Sequence, residues 1–246
     1  MSHRVHTRGY YLAGVIFAAI VAFCVIKSDM LINSFLSNSK VLPVRAVQID
    51  GVFKYLTKKH IADITGKVCA GQNIAKLDLT ILQNTLMEEP WVAQVAIRKK
   101  MPDTIMLSVV EHVPAAYWND NGLYDARTRS IFYPDLENFS QPLVKLGAFR
   151  DNLCSDVYET AVLFIKAMNR SHYQMVELYL DNVRCYNMTL ENGTRLILGR
   201  GQKDALVRLE RFLKAFPQSG LNIDDVDYVD LRYDVGFAIG KKGSAK

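Results

Sequence analysis

The sequence predicts an α+β protein carried on one amino-terminal transmembrane helix, and three observations support that expectation. A single uncharged apolar stretch near the start has a spanning length. About seventy residues then follow the order strand, helix, helix, strand, strand, and the rest alternates short strands with two amphipathic helices. The 246 residues are 50% hydrophobic and 22% charged, which is globular composition and excludes a chain disordered throughout. Four cysteines cannot make a disulfide scaffold at this length, so the fold must rest on a buried apolar core. The formal net charge of +5 comes from 30 basic and 25 acidic residues that are intermixed, so it gives no sign of a nucleic-acid partner.

Residues 1–8 form a short basic tail. From Gly9 to Ile26 there are eighteen residues without a charge, bounded by Arg4 and Arg8 before and by Lys27 and Asp29 after. At about 1.5 Å per residue a helix here reaches about 27 Å against a hydrocarbon thickness of about 30 Å, so residues 9–27 are expected to span a membrane. Tyr10 and Tyr11 stand where an interfacial aromatic belt would lie, and Lys27 can snorkel at the far end. A cleaved signal peptide is the competing reading. Its best cleavage site, Ala22-Phe23-Cys24, is poor, and the bulky Phe23 also spoils a lipidation box, so the anchor is expected to stay. Charge counting nearly ties on orientation, with Arg4 and Arg8 set against Lys27 and Lys40.

Residues 28–43, rich in Ser and Asn and ending at Pro43, read as a linker. The first domain is expected at 44–113. Val44 to Asp50 alternates apolar and polar residues and stops at Gly51, as a half-buried strand should. Thr57 can cap a short helix ending at Gly66, and Asp78 a second with Leu79, Leu82 and Leu86 on one face, which must end before Pro90. Val92 to Lys99 and Thr104 to His112 read as strands joined by the turn Met101-Pro102-Asp103, the first turning Val95 and Ile97 to one face, the second Ile105, Leu107 and Val109.

The second domain is expected at 114–240, followed by a basic tail at 241–246. Ala115 to Trp118 runs into the turn Asn119-Asp120-Asn121-Gly122, and Leu123 to Phe132 continues as a further extended pair. Ser155 to Arg170 reads as a helix through its stripe of Val157, Ala161, Phe164, Ile165 and Met168. Val176–Leu180, Cys185–Leu190 and Thr194–Leu198 read as strands, the last two joined by Glu191-Asn192-Gly193. Gln202 to Phe216 reads as a helix burying Leu206, Leu209, Leu213 and Phe216, with Lys203, Arg208, Arg211 and Lys214 available to water. Val226–Tyr233 and Gly236–Gly240 close the chain as strands. The sheet is expected to be mostly antiparallel, with a few helices.

No catalytic chemistry emerges. His60, His112 and His172 have no partner at ligand spacing, and Glu111 and His112 point to opposite faces of a strand. Leu198-Gly199-Arg200-Gly201-Gln202-Lys203 lacks the spacing of a phosphate loop and reads as a strand-to-helix turn. Neither GxSxG nor CxxC occurs. No cofactor and no metal site is expected. Cys154 and Cys185 are read either as free thiols or as one bridge in an oxidising compartment.

The segment Glu89-Pro90-Trp91-Val92-Ala93-Gln94-Val95-Ala96-Ile97-Arg98-Lys99, continuing through Pro102, Thr104, Glu111, Pro114 and Ala115 to Trp118, resembles the PW[VI]xxVxVRKxxPxxxxxxVxExxPxAxW signature of the bacterial FtsQ/DivIB family, in its gammaproteobacterial form. Tyr228-Val229-Asp230-Leu231-Arg232-Tyr233-Asp234 is similar to that family's YVDLRYD, and Leu198-Gly199-Arg200-Gly201 to its LGRG. The resemblance implies a single-pass inner-membrane protein with a cytoplasmic amino end. Its periplasmic part would be a POTRA domain (β-α-α-β-β) followed by the family's β domain. It implies a non-enzymatic scaffold of the divisome, enriched at the division septum, that binds the FtsB and FtsL pair and helps recruit later septal peptidoglycan-synthesis proteins.

Carried over residue by residue, the resemblance puts Arg232, Tyr233, Asp234, Val235 and Gly236 on the segment where FtsB adds a strand to the last, open edge, and matches Arg184 to a basic residue that pairs with an acid of the partner. Val235 departs from a family serine, and Lys241 stands where some members carry tryptophan. Gln94, Ile97 and Lys99 match a POTRA strand linked in the family to recruitment, with Lys99 the better surface candidate because Ile97 shares the face of Val95. The POTRA-like domain leaves a second reading, an envelope assembly or secretion factor that receives unfolded clients.

Overall fold

Ile105, Leu107 and Val109 alternate along one strand, and each is at most 2% exposed. That strand is the middle of the first sheet in a computed structural model that describes residues 14–25, 27, 42–137 and 139–243. The chain divides into two units between Glu111 and His112, each with its own apolar core. Early in the first of them, residues 14–25 and 27 are helical, with the Lys27 ammonium 5.8 Å from the Phe23 ring centroid. Among the described residues no helix is long and apolar enough to cross a membrane; Gly9 to Ala13, Ile26 and most of the expected linker lie outside them.

The first unit holds β1 (Ala46–Asp50), α1 (Lys58–Cys69), α2 (Leu79–Met87), β2 (Val92–Lys100) and β3 (Thr104–Glu111). The sheet order is β1-β3-β2, with β1 parallel and β2 antiparallel to β3. Thr57 caps α1 by accepting from the His60 N–H, and Asp78 caps α2 by accepting from the Thr80 N–H, which also holds its carboxyl below the usual carboxylate range. α1 passes the expected stop at Gly66 and runs to Cys69. An interior helical glycine costs about 1 kcal/mol, and the extra turn buries Cys69 and packs Val68 on the core.

Glu111 closes this unit. Its carboxylate accepts the N–H groups of Lys54 (2.7 Å), Tyr55 (2.8 Å) and Leu56 (2.6 Å), donors of a segment with no strand partner of its own. Tyr55 stacks on Trp91 with centroids 4.0 Å apart.

The second unit carries β4 (Pro114–Trp118), β5 (Gly122–Asp125), β6 (Ser130–Phe132), β7 (Lys145–Ala148), α3 (Cys154–Met168), β8 (Met175–Leu180), β9 (Cys185–Leu190), β10 (Arg195–Arg200), α4 (Gln202–Ala215), β11 (Val226–Asp230) and β12 (Ala238–Lys241). They form one nine-stranded sheet in the order β12-β11-β10-β9-β8-β7-β4-β5-β6. Most neighbours are antiparallel. β7 with β8 and β10 with β11 are parallel because α3 and α4 are their crossovers, and β4 with β7 is parallel too. Phe164, Leu209 and Phe212 of the two helices are fully buried in a core with Leu178, Met188 and Leu196 of the sheet. β7 carries no element in the sequence reading. It is four residues long and enclosed between two strands, so it has neither length nor alternation to announce it.

His112 gains a partner that its spacing did not suggest. Its Nδ1 lies 3.0 Å from an Asp125 Oδ2 that also accepts from the Val113 N–H, and its ring stacks on Phe132. Burial alone would push the Asp125 carboxyl up. The N–H groups of Val113 and Arg127 and the His112 ring outweigh it and hold the carboxyl below its ordinary range. Cys154 is buried, Cys185 is half-buried, and neither is bridged.

Glu111→Ala leaves three N–H groups without their acceptor and is expected to cost the first unit about 2–4 kcal/mol. Urea denaturation should read that loss, and hydrogen exchange should find the Lys54 to Leu56 amides deprotected.

Candidate functional site: the open end of the second sheet

β11 pairs in parallel with β10, Ile197 opposite Asp230, and β10 pairs with β9, Arg200 opposite Cys185. The carboxyl end of β11, the start of β12 and the turn before β9 therefore share one end of the sheet. Arg184 and the 231–237 segment thus lie at the same end of the sheet although about fifty residues separate them.

The sequence reading extends the penultimate strand to Tyr233. It ends at Asp230 instead. The Leu231 N–H still reaches the Ile197 carbonyl (2.9 Å) and its side chain is fully buried, but Asp230 turns its carboxylate onto Arg232. Oδ1 takes the Arg232 backbone N–H (3.1 Å) and Nε (2.9 Å), and Oδ2 takes Nη2 (2.6 Å). This bidentate fork holds the Asp230 carboxyl well below the usual carboxylate range and the guanidinium above its own. Arg232 is thus already engaged within the chain, with its side chain still 56% exposed.

Arg232 through Gly236 are all exposed and form a bend rather than a strand, with Gly236 at φ +79°. Tyr233 is 55% and Val235 92% exposed. The bend opens into β12, expected at Gly236–Gly240 and found at Ala238–Lys241, so Lys241 belongs to the strand and not to a tail. Phe237 and Ile239 pack on the core, Phe237 against the Phe212 and Phe216 rings. Tyr228 stands opposite Gly240, and any Cβ there would collide with its ring. β12 pairs with β11 alone among the described strands, so its outer side presents backbone donors and acceptors in register. Lys242 anchors the end through its N–H to the Asp225 carbonyl (2.9 Å).

Arg184 lies in the β8–β9 turn at φ +62°, where its N–H donates to the Asp181 carbonyl and Asp181 Oδ1 accepts from Val183 and Cys185. It is exposed and has no ion-pair partner among the described residues.

Gln94, Ile97 and Lys99 do not share a surface. Gln94 is exposed on the outer face of β2, whereas Ile97 packs on the core and Lys99, on that same inner side, is half-buried with Nζ on the Ala75 carbonyl (3.1 Å).

Two arginines that sequence reading left in water are bound to backbone. Arg208 Nη1 donates to the Leu198 and Arg200 carbonyls (3.0 and 3.2 Å), and Arg211 donates to those of Leu231, Tyr233 and Asp234. A Cβ on Gly199, which sits at φ +80°, would meet Arg208 Nη1 and Arg232 Cγ, both at 3.1 Å. The glycines of LGRG thus make room for side chains rather than for phosphate. No local pattern marks these arginines, because their acceptors lie in other segments.

Among the described residues no group of three His, Cys, Asp or Glu could hold a metal ion. A family model described as "POTRA domain, FtsQ-type" matches residues 42–112, and one described as "Cell division protein FtsQ/DivIB, C-terminal" matches residues 116–232. The cell division protein FtsQ of Aliivibrio fischeri is 30% identical over 233 residues, 94% of this chain and 89% of that protein. The chain belongs to the FtsQ/DivIB family. Its FtsQ relatives from Escherichia coli (27% over 237 residues, 94% and 85% covered) and Coxiella burnetii (30% over 205 residues, 83% and 82%) extend along the same two units. The second FtsQ match ends at Arg232, so the exposed bend and β12 lie beyond it.

Because the folded Asp230 carboxyl titrates below its ordinary value, its contribution is complete above about pH 4 and fades as pH falls through the lower folded value. The gap in melting temperature between the parent and Asp230→Asn should therefore be constant from about pH 6 to 8 and close under acid. Calorimetry across that range checks it.

Proposed function

We propose that the chain is a non-enzymatic scaffold of the division septum, anchored in the inner membrane through residues 9–27, with its amino end in the cytoplasm and both units in the periplasm. FtsB, carried with FtsL as a pair, adds a strand to the outer edge of β12, and the assembly links early division proteins to the later septal peptidoglycan-synthesis proteins. The observation that carries this reading is the free side of β12 beside an exposed bend. An added strand satisfies edge N–H and C=O groups whatever its sequence, so affinity comes from the backbone and selectivity from what flanks it. Tyr233 and Val235 offer apolar surface beside that edge, and Tyr233 has the amphipathic character of an interface anchor. Arg184, charged and without an ion-pair partner among the described residues, fits an acidic side chain of the partner, which it can clamp bidentately.

Arg232 supports docking differently from the other residues. Held by Asp230, it shapes the start of the bend, and its outer N–H groups remain for a partner.

Gln94, Ile97 and Lys99 are proposed for recruitment only through Gln94, the residue of the three that β2 turns outward; Ile97 and Lys99 would hold that strand to its unit.

Tyr233→Ala is expected to weaken co-purification of the full chain with the FtsB–FtsL pair by at least about tenfold, and Arg184→Glu by a similar factor. Circular dichroism melts should stay within a few degrees of the parent; unchanged capture by both variants would reject the docking site. A fluorescent fusion should mark a midcell band. A uniform envelope signal would instead favour the reading as an assembly or secretion factor for unfolded clients.

A further inference from the structure

Arg211 stands on α4, half-buried, with its guanidinium beneath the bend that leads into β12. Nη1 donates to the Asp234 carbonyl (2.6 Å), and Nη2 to those of Tyr233 (2.6 Å) and Leu231 (3.1 Å). Three carbonyls of one four-residue stretch thus converge on one side chain. The bend needs such a hub: residues 232–236 form no ladder, and among the described residues only Arg232 is tied down from the strand side, through Asp230. With the carbonyls of Tyr233 and Asp234 drawn inward, the Tyr233 and Val235 side chains are left outside, 55% and 92% exposed. Arg211 Nε is buried with no hydrogen-bond partner, the only such side-chain nitrogen or oxygen among the described residues. A buried donor left unmade is costly, so the position of this guanidinium is set by the carbonyls it gathers rather than by its own full satisfaction.

We propose that Arg211 is a positioning residue for docking, a clamp that fixes the 231–234 backbone so that Tyr233 and Val235 are presented before a partner strand arrives. This rests on the docking reading above. Fixing the bend in advance removes an ordering cost that would otherwise be charged against affinity. Lysine cannot replace it, because one ammonium cannot reproduce the planar fork that spans the carbonyls.

The test compares the full chain in detergent micelles with Arg211→Met, which keeps the apolar stem and volume, and with Arg211→Lys. Hydrogen exchange of the free proteins comes first. Both variants should exchange the Arg232 to Phe237 amides at least about tenfold faster than the parent, with β9 and β10 unchanged. Binding to the purified FtsB–FtsL pair should then weaken by about tenfold or more in both variants, by the same factor at low and high salt, since a lost clamp is not a lost ion pair. Unaltered exchange in the bend overturns the clamp. So does parental affinity in Arg211→Met, or a loss that salt abolishes or lysine restores, which would make Arg211 a direct ionic contact. A variant that unfolds outright deprotects β9 and β10 as well, and that result also counts against a local role. Failure of the parent itself to bind overturns the docking reading, and is distinguished by the exchange result in the unbound protein.

Discussion

The outermost strand of a sheet has half of its backbone groups without a ladder partner, and in water that is tolerated only if the strand is short, charged, covered or completed by another chain. β12 meets this constraint with four residues, a lysine at its end and a firm inner seat. Phe237 and Ile239 hold it to the core, and Gly240 lets the Tyr228 ring lie across it. The strand is thereby held on its inner side and, among the described strands, unpaired on its outer one. A flexible strand could hide its edge by fraying; this one is held, because leaving the sheet would pull Ile239 off the core and part the adjoining Phe237 from the Phe212 and Phe216 rings.

The two arginine devices at that end divide the labour between backbone and side chain. Asp230 and Arg232 stop β11 three residues before the tyrosine that the motif carries, so Tyr233 leaves the pleat and reaches solvent. Arg211, from a helix on the other layer, determines where the backbone goes next. LGRG contributes by subtraction: Gly199 leaves the space that the Arg208 and Arg232 side chains fill. A motif that reads as a strand-to-helix turn is thus also a packing requirement of the bend thirty residues later.

Much of the fold was legible in the sequence, and the reasons are local. Ile105, Leu107 and Val109 alternate, Thr57 and Asp78 cap, and the stripe on α4 repeats at helical spacing; each is a short-range signal written in adjacent residues. What escaped depends on partners far along the chain. β7 is a strand because β4 and β8 flank it, and α1 outlasts Gly66 because Cys69 finds a core; the early stop of the penultimate strand is the exception, a bond from Arg232 back to Asp230 that strand alternation does not announce. The site shows the same division. Resemblance singles out Arg184 and residues 232–236, whereas helical periodicity turns Arg211 to solvent because its acceptors lie twenty or more residues away. Strand alternation in the sequence favours Lys99 over Ile97 as a surface residue, and the β2 pleat instead turns both inward and Gln94 out.

The far border of the large sheet, β6, has only three residues, too few to template a neighbour of ordinary length. Under the proposed docking the sheet is therefore lopsided, with β12 the border that a partner strand extends and β6 the border that scarcely can be. Repeated head-to-tail stacking, the route by which open sheets become fibres, needs two usable borders on each body. With β12 taken up by the proposed partner strand, only that three-residue border is left, and lateral growth would stop after the first addition.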